Sequence, residues 1–197
     1  NFGHFQSNLL IEGFYTALND VFYLESLGKD PVSGTLVQER RNGNGARVYG
    51  ANIDYKIAHG KEAQLQLGFT VQRSRYTEAV RWSEDEDVAA IKRMPRTPDY
   101  YGYFTFRSAP LKTYDISLSG VYTGRMIVPH FAGYIEKDRL EHTPDFMDFN
   151  LKLNYTFVLN DHLKQQVNGG VQNIFNAFQK DLDKGMYRDS MYFYGPT

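Results

Sequence analysis

Apolar and polar residues alternate along most of this chain. From Ala63 to Arg73 the odd positions are Ala63, Leu65, Leu67, Phe69 and Val71, and the even ones are Gln64, Gln66, Gly68, Thr70 and Gln72. Successive side chains of a strand point to opposite faces, so this is a strand with one apolar and one polar wall. The pattern returns in Met147, Phe149, Leu151, Leu153, Tyr155 and Phe157 against Asp148, Asn150, Lys152, Asn154 and Thr156. It returns again in Tyr114, Ile116, Leu118, Gly120 and Tyr122, and in Tyr49, Ala51, Ile53, Tyr55 and Ile57. Near the start, Leu9, Ile11 and Tyr15 oppose Asn8, Glu12 and Thr16, with Leu10 and Phe14 blurring the phase. Asp99 to Ser108 is rich in Tyr and Phe and strand-like without a clean phase. No segment carries a sustained 3.6-residue apolar stripe. The chain reads as all-β with about eight long strands, the last over Gln166 to Asn176.

Connection lengths alternate as well. Short turns are predicted at Ala58 to Lys61, Ala109-Pro110-Leu111 and Leu159 to Gln165. Long connections are predicted at Glu78 to Thr97, Arg125 to Thr143 and Phe175 to Pro196, and the first strand pair is predicted to join through Gly28 to Gly34. This places every short turn on one rim and every long loop on the other, as in outer-membrane barrels.

The alternation fits two environments. In a soluble sandwich or small barrel, binding for instance a carbohydrate or lipid, the apolar face looks into a core. In a membrane barrel it meets lipid and the polar face lines a lumen. Three features favour the second. The polar face uses Gln, Asn, Ser, Thr and Gly more than Lys and Glu. The stretch Lys61 to Thr77 exceeds an ordinary strand and is long enough to cross a bilayer. Tyr49, Tyr76, Tyr100, Tyr122, Phe146 and Phe157 fall near the ends of alternating runs, where interfacial girdles lie.

Composition narrows the function classes. The 197 residues hold 22 Lys plus Arg and 23 Asp plus Glu, a formal net charge of -1, which excludes a generally basic surface for nucleic acid. There is no cysteine, hence no disulfide, thiolate metal site or cysteine nucleophile. Aromatics reach 15%, with 15 Tyr, 14 Phe and one Trp. The start at Asn1 has neither the charged region and apolar core of a signal peptide nor an initiator Met, and we expect a piece of a longer protein.

The stretch from Gly169 to Thr197, GGVQNIFNAFQKDLDKGMYRDSMYFYGPT, resembles the penultimate strand and last extracellular loop of TonB-dependent outer-membrane receptors of the Bacteroidetes type. The run Glu39 to Tyr55 and the run Thr123 to Phe157 are similar to further strands of the same receptors, so the resemblance covers the chain in order. It implies an antiparallel up-and-down transmembrane β-barrel, of which residues 1–197 are the C-terminal portion, about eight strands of a plugged barrel of about 22. It implies that the plug domain, the TonB box and the closing strand lie outside this chain. It further implies a location in the bacterial outer membrane and uptake of a scarce nutrient (an iron chelate, haem, cobalamin or an oligosaccharide) driven by TonB. The implied partners are outer-membrane lipid, the TonB complex, the nutrient and a surface lipoprotein. No cofactor and no enzymatic activity are expected.

Candidate binding residues are the aromatic and basic side chains of the expected external loops: Arg81, Trp82, His130, Phe131, Tyr134, Tyr187 and Tyr192. Each has a plainer reading as loop packing. The acidic run Glu84 to Asp87 reads as a solvated loop tip, because it lacks the spacing and glycine of a calcium loop. His130, Glu136, Asp138, Glu141 and His142 crowd one loop without metal-ligand spacing, and no metal site is assigned. No nucleophile elbow accompanies any Ser, so no catalytic residue is assigned. Asn42 to Gly45 lacks the Lys-Ser/Thr ending of a phosphate loop and reads as a bend or bulge inside a strand.

Overall fold

The computed structural model describes residues 4–33 and 36–195. Twelve strands run in chain order and no helix occurs among the described residues: β1 (Phe5–Leu18), β2 (Phe22–Lys29), β3 (Leu36–Asn42), β4 (Ala46–His59), β5 (Ala63–Val80), β6 (Ile91–Arg93), β7 (Tyr100–Leu111), β8 (Tyr114–Thr123), β9 (Ile127–His130), β10 (Arg139–His142), β11 (Phe146–Asn160) and β12 (Leu163–Val171). The main sheet is eight-stranded and antiparallel, in the order β1-β4-β5-β7-β8-β11-β12, with β6 added on β5. This is a wall of a barrel: an up-and-down meander, open at β1 and β12, each paired on one side among the described residues.

The register carries the alternation across the wall. Leu9, Tyr55, Leu67, Phe104, Gly120 and Phe149 form one row, and Ile57, Leu65, Phe106, Leu118, Leu151 and Val171 another, all on one face. Asn8, Lys56, Gln66, Thr105, Ser119 and Asn150 form a row of the opposite face. The burial is inverted relative to a soluble protein. On β5 the apolar Leu67 and Phe69 are 40% and 42% exposed, whereas Thr70 and Ser74 on the polar face are 8% and 4% exposed. No second sheet covers the apolar face among the described residues, and packing between elements follows strand pairing.

The height of the apolar band suits a bilayer. Tyr15 and Tyr49, stacked at 6.5 Å, top the face at the long-loop rim, and Phe5, Tyr114, Tyr155 and Phe157 end it at the other. The step from Phe5 to Tyr15 is about 33 Å of strand at about 3.3 Å per residue. At a tilt of about 40° it rises about 25 Å, the height of an apolar band in outer-membrane barrels.

The rims are sorted as expected, with corrections in detail. The short turns fall at residues 60–62, 112–113 and 161–162. Ala109 and Pro110 are inside β7, at a register shift between Ser108 and Leu111, where a residue without N–H is tolerated. The last strand is displaced toward the N-terminus: β12 ends at Val171 and residues up to Asn176 form turns. There Asn173 and Asn176 have φ of 48° and 53°, a region asparagine enters readily, and Asn173 Oδ1 accepts the Ala177 N–H at 2.8 Å. The paired Asn of this segment therefore close the strand.

The first hairpin is larger than expected. The wall partner of β1 is β4, and β2 pairs with β3, the turn at residues 31–33 following β2 and Gly34 lying outside the described residues. The ribbon of β2 and β3 continues the hairpin beyond the wall. Residues 43–45 separate it from β4, where the sequence pattern predicts a bend within one strand. Gly45 stands at φ 89°, and a Cβ there would collide with the Leu18 carbonyl oxygen.

Candidate functional site

The polar wall is a connected lining. Tyr103 Oη donates to Asp54 Oδ1 at 3.0 Å and accepts from Gln66 Nε2 at 2.8 Å. Thr70 Oγ1 donates to Asn52 Oδ1 at 2.9 Å. Arg107 pairs with Asp115, which also accepts from Asn154 Nδ2 at 2.9 Å. Every one of these bonds crosses between strands, because residues in register share a face. Tyr103 lies flat across Gly68, where a Cβ would collide with the ring. The wall is thus wettable yet rigid, as suits the inside of a conduit.

The apolar core of this chain lies at the long-loop rim. Val88, Met126, Ile127, Val128 and Tyr192 are buried there, contributed by three loops, residues 81–99, 124–145 and 172–195, with Phe146 added from the start of β11. His130, at the end of β9, is 3% exposed and stacks on Tyr192 with ring centroids 3.5 Å apart and planes at 7°. Its Nε2 lies 3.1 and 3.0 Å from the two oxygens of Asp183. Asp183 also accepts the Asp189 N–H at 2.9 Å, and Asp189 accepts the Phe131 N–H at 3.0 Å. Arg96, at φ 57°, ties all three loops: its guanidinium donates to the Phe193 and Met191 carbonyls and its N–H to Ile127 O at 2.8 Å. Ser83 Oγ donates to Asp138 at 2.6 Å, and Lys137 pairs with Asp87 at 3.1 Å.

Asp181 receives two phenols, Tyr192 Oη at 2.8 Å and Tyr194 Oη. Burial pushes both tyrosines above their ordinary range, and the adjacent Asp181 carboxylate pushes them further. Burial also pushes Asp181 upward, but the hydrogen bonds from Tyr194 and Tyr192 outweigh it and hold the carboxyl below the usual range.

The structure brings some of the sequence-predicted residues together. His130, Tyr134 and Tyr192 line one cleft of about 290 Å³, with Arg139, Lys180 and Lys184. Tyr134 is exposed, as is Tyr187 nearby, whose carbonyl faces Gly133; His130 and Tyr192 are committed to the core of the loops. Phe131 is half-buried. Arg81 and Trp82 stand apart, at the top of β5, with Arg81 exposed and Trp82 against Tyr76 at 6.3 Å. Asp181, Asp183 and Arg96 are missed by sequence reasoning, because contacts between loops leave no periodic trace. Among the described residues no group of three His, Asp and Glu is arranged to hold a metal ion. Asp138 is used by Ser83 and by the Ala132 N–H, and Glu141 by Arg139.

Residues 1–174 match the family model described as TonB dependent receptor-like, beta-barrel. Among solved structures, the chain is similar to the ferric-catecholate import receptor Fiu of Escherichia coli K12 in its closed form. The TM-score is 0.59 and the identity 20%, over 91% of this chain and 23% of that one. The likeness is one of fold, and the chain spans about a quarter of the length of that receptor. No curated protein sequence matches the chain.

Proposed function

Since the chain belongs to the TonB-dependent receptor-like β-barrel family, we propose that it is part of an outer-membrane active transporter that takes up a scarce nutrient with energy from TonB. The observation that carries this reading is the inverted wall: exposed apolar rows outside, a hydrogen-bonded polar lining inside. A soluble sandwich would bury those apolar rows against a second sheet, and among the described residues none covers them. In this reading residues 1–197 are the C-terminal portion of a barrel of the Bacteroidetes type, and the plug, the TonB box and the closing strand lie elsewhere in the protein. The cargo is an iron chelate, haem, cobalamin or an oligosaccharide. Arg81, Trp82, Tyr134 and Tyr187 meet it at the mouth, while His130, Phe131 and Tyr192 shape the loops that present them. A surface lipoprotein is a further partner. The family is one of receptors, and the reading includes no catalysis.

Uptake tests the proposal. The full-length protein, in cells with and without functional TonB, is offered labelled ferric catecholate, haem, cobalamin and a maltooligosaccharide. TonB-dependent accumulation of one class is expected. Recovery of the protein in the soluble fraction, or equal uptake with and without TonB of every class, overturns it.

A further inference from the structure

In line with the aromatic row of Tyr15 and Tyr49, and just beyond it, lies an arginine patch that the transport reading leaves unused. On β5 the odd positions from Ala63 to Val71 form the outward, apolar face, and Arg73 and Arg75 continue it. In the ladder Tyr49 is opposite Arg73, Arg47 is opposite Arg75, and Arg75 is opposite Arg93 of β6. Residues directly opposite share a face, so Arg47, Arg73, Arg75 and Arg93 gather on the outer wall at the long-loop rim. Like charges placed directly across a sheet repel one another. Among the described residues Asp99 alone pairs with them, with Arg73 and, at 3.1 Å, with Arg93. The side chains of Arg47 and Arg75 have no hydrogen bond or ion pair among the described residues, and Arg93 Nε is buried without an acceptor.

We propose that this patch binds the phosphate of an outer-leaflet lipid. The position selects the ligand. Tyrosines of an interfacial girdle sit at headgroup level, so guanidinium groups in the same row (Arg73) and one step further out (Arg47, Arg75, Arg93) meet the phosphates of lipids whose acyl chains cover Leu67, Phe69 and Val71. Guanidinium forks match phosphate oxygens two at a time. A bound phosphate would relieve the repulsion that one carboxylate leaves, and would supply the acceptor that Arg93 Nε lacks. The inference rests on the reading that the apolar face meets lipid.

The full-length receptor is folded into phosphatidylcholine vesicles carrying bisphosphorylated lipid A, and lipid retention is followed by native mass spectrometry after extraction. Heat-modifiable migration on gels reports folding separately. Arg47→Gln with Arg75→Gln leaves the Asp99 pairs intact. At about fivefold for each arginine, about twenty-five-fold weaker retention is expected, with wild-type folding. Dephosphorylated lipid A should be retained no better by wild type than by the double variant. Equal retention of lipid A by both proteins overturns the proposal, as does wild-type retention of dephosphorylated lipid A equal to that of the phosphorylated lipid. Displacement by inorganic phosphate as effective as by lipid A assigns the patch to free phosphate and overturns the lipid assignment. Failure of the wild type to enter vesicles overturns the membrane reading itself and the patch with it.

Discussion

The ring of His130 lies face to face with that of Tyr192, 62 residues further along the chain, and this contact joins the loop after β8 to the loop after β12. Around it the carboxylates of Asp183 and Asp181 take up the polar edges of the two rings. The pair is a structural pin between loops that a ligand would meet from outside.

Removing the pin should loosen both loops together. Tyr192→Ala deletes a ring that is 3% exposed and should lower the local stability of the loop body by about 3–5 kcal/mol. Tyr192→Phe keeps the stack and loses one hydrogen bond to Asp181, about 1 kcal/mol. Hydrogen exchange of the full receptor should show residues 124–145 and 172–195 losing protection in the first variant and keeping most of it in the second. Loss confined to residues 172–195 would refute a shared body.

The two faces of β5 should answer differently to charge. Leu67→Arg places a guanidinium on the outward face in mid-band and should cost about 2–4 kcal/mol of folding stability in lipid vesicles. Gln66→Arg, its neighbour on the inner wall, should be mild. Denaturant titration in vesicles measures both. Equal effects would count against an outward apolar face.

Tyr103 needs the gap at Gly68. Gly68→Ala should push the ring aside, break its bonds to Asp54 and Gln66, and cost about 1–3 kcal/mol. With Tyr103→Ala as background the same change should be nearly neutral. An unchanged cost in that background would show that the ring is not what the methyl meets. Vesicle-folding titrations of the four proteins make the cycle.

The phenol–carboxylate cluster should bound loop docking in pH. Asp181 is held below its usual range, so its contribution is present above the ordinary carboxylate value and is lost as pH falls through its depressed one. Tyr192 and Tyr194 are raised, so theirs is complete below the ordinary phenol value, about 10, and is lost as pH rises beyond it. Limited proteolysis of residues 172–195 should be slowest on the broad plateau between these limits. Asp181→Asn should remove the acid limb and weaken docking on the plateau. An acid limb that persists in the variant would assign it to another group.

The wall was legible because period two survives wherever one face is oily: β4, β5, β8 and β11 follow runs visible in the residues alone. β7 shows a blurred phase because both its faces carry aromatics, with Tyr103 inward and Phe104 outward. Pro110 reads as a turn, yet its register shift lets it stay in the strand. β2, β3, β6, β9 and β10 escape the pattern because they are short or stand clear of the wall. The candidate site was legible only as loop aromatics. Which of them are buried depends on partners such as Asp183 and Arg96 in other loops, and no local spacing encodes that choice.

Because Arg96 grips main-chain atoms from both other loops, the three loops of this rim are shaped as a set. A single loop transplanted from a relative would arrive without its counterparts and meet carbonyls it was not shaped for. Exchange of recognition between such receptors should therefore succeed when the three segments travel together, and diversification under selection should show them changing in step.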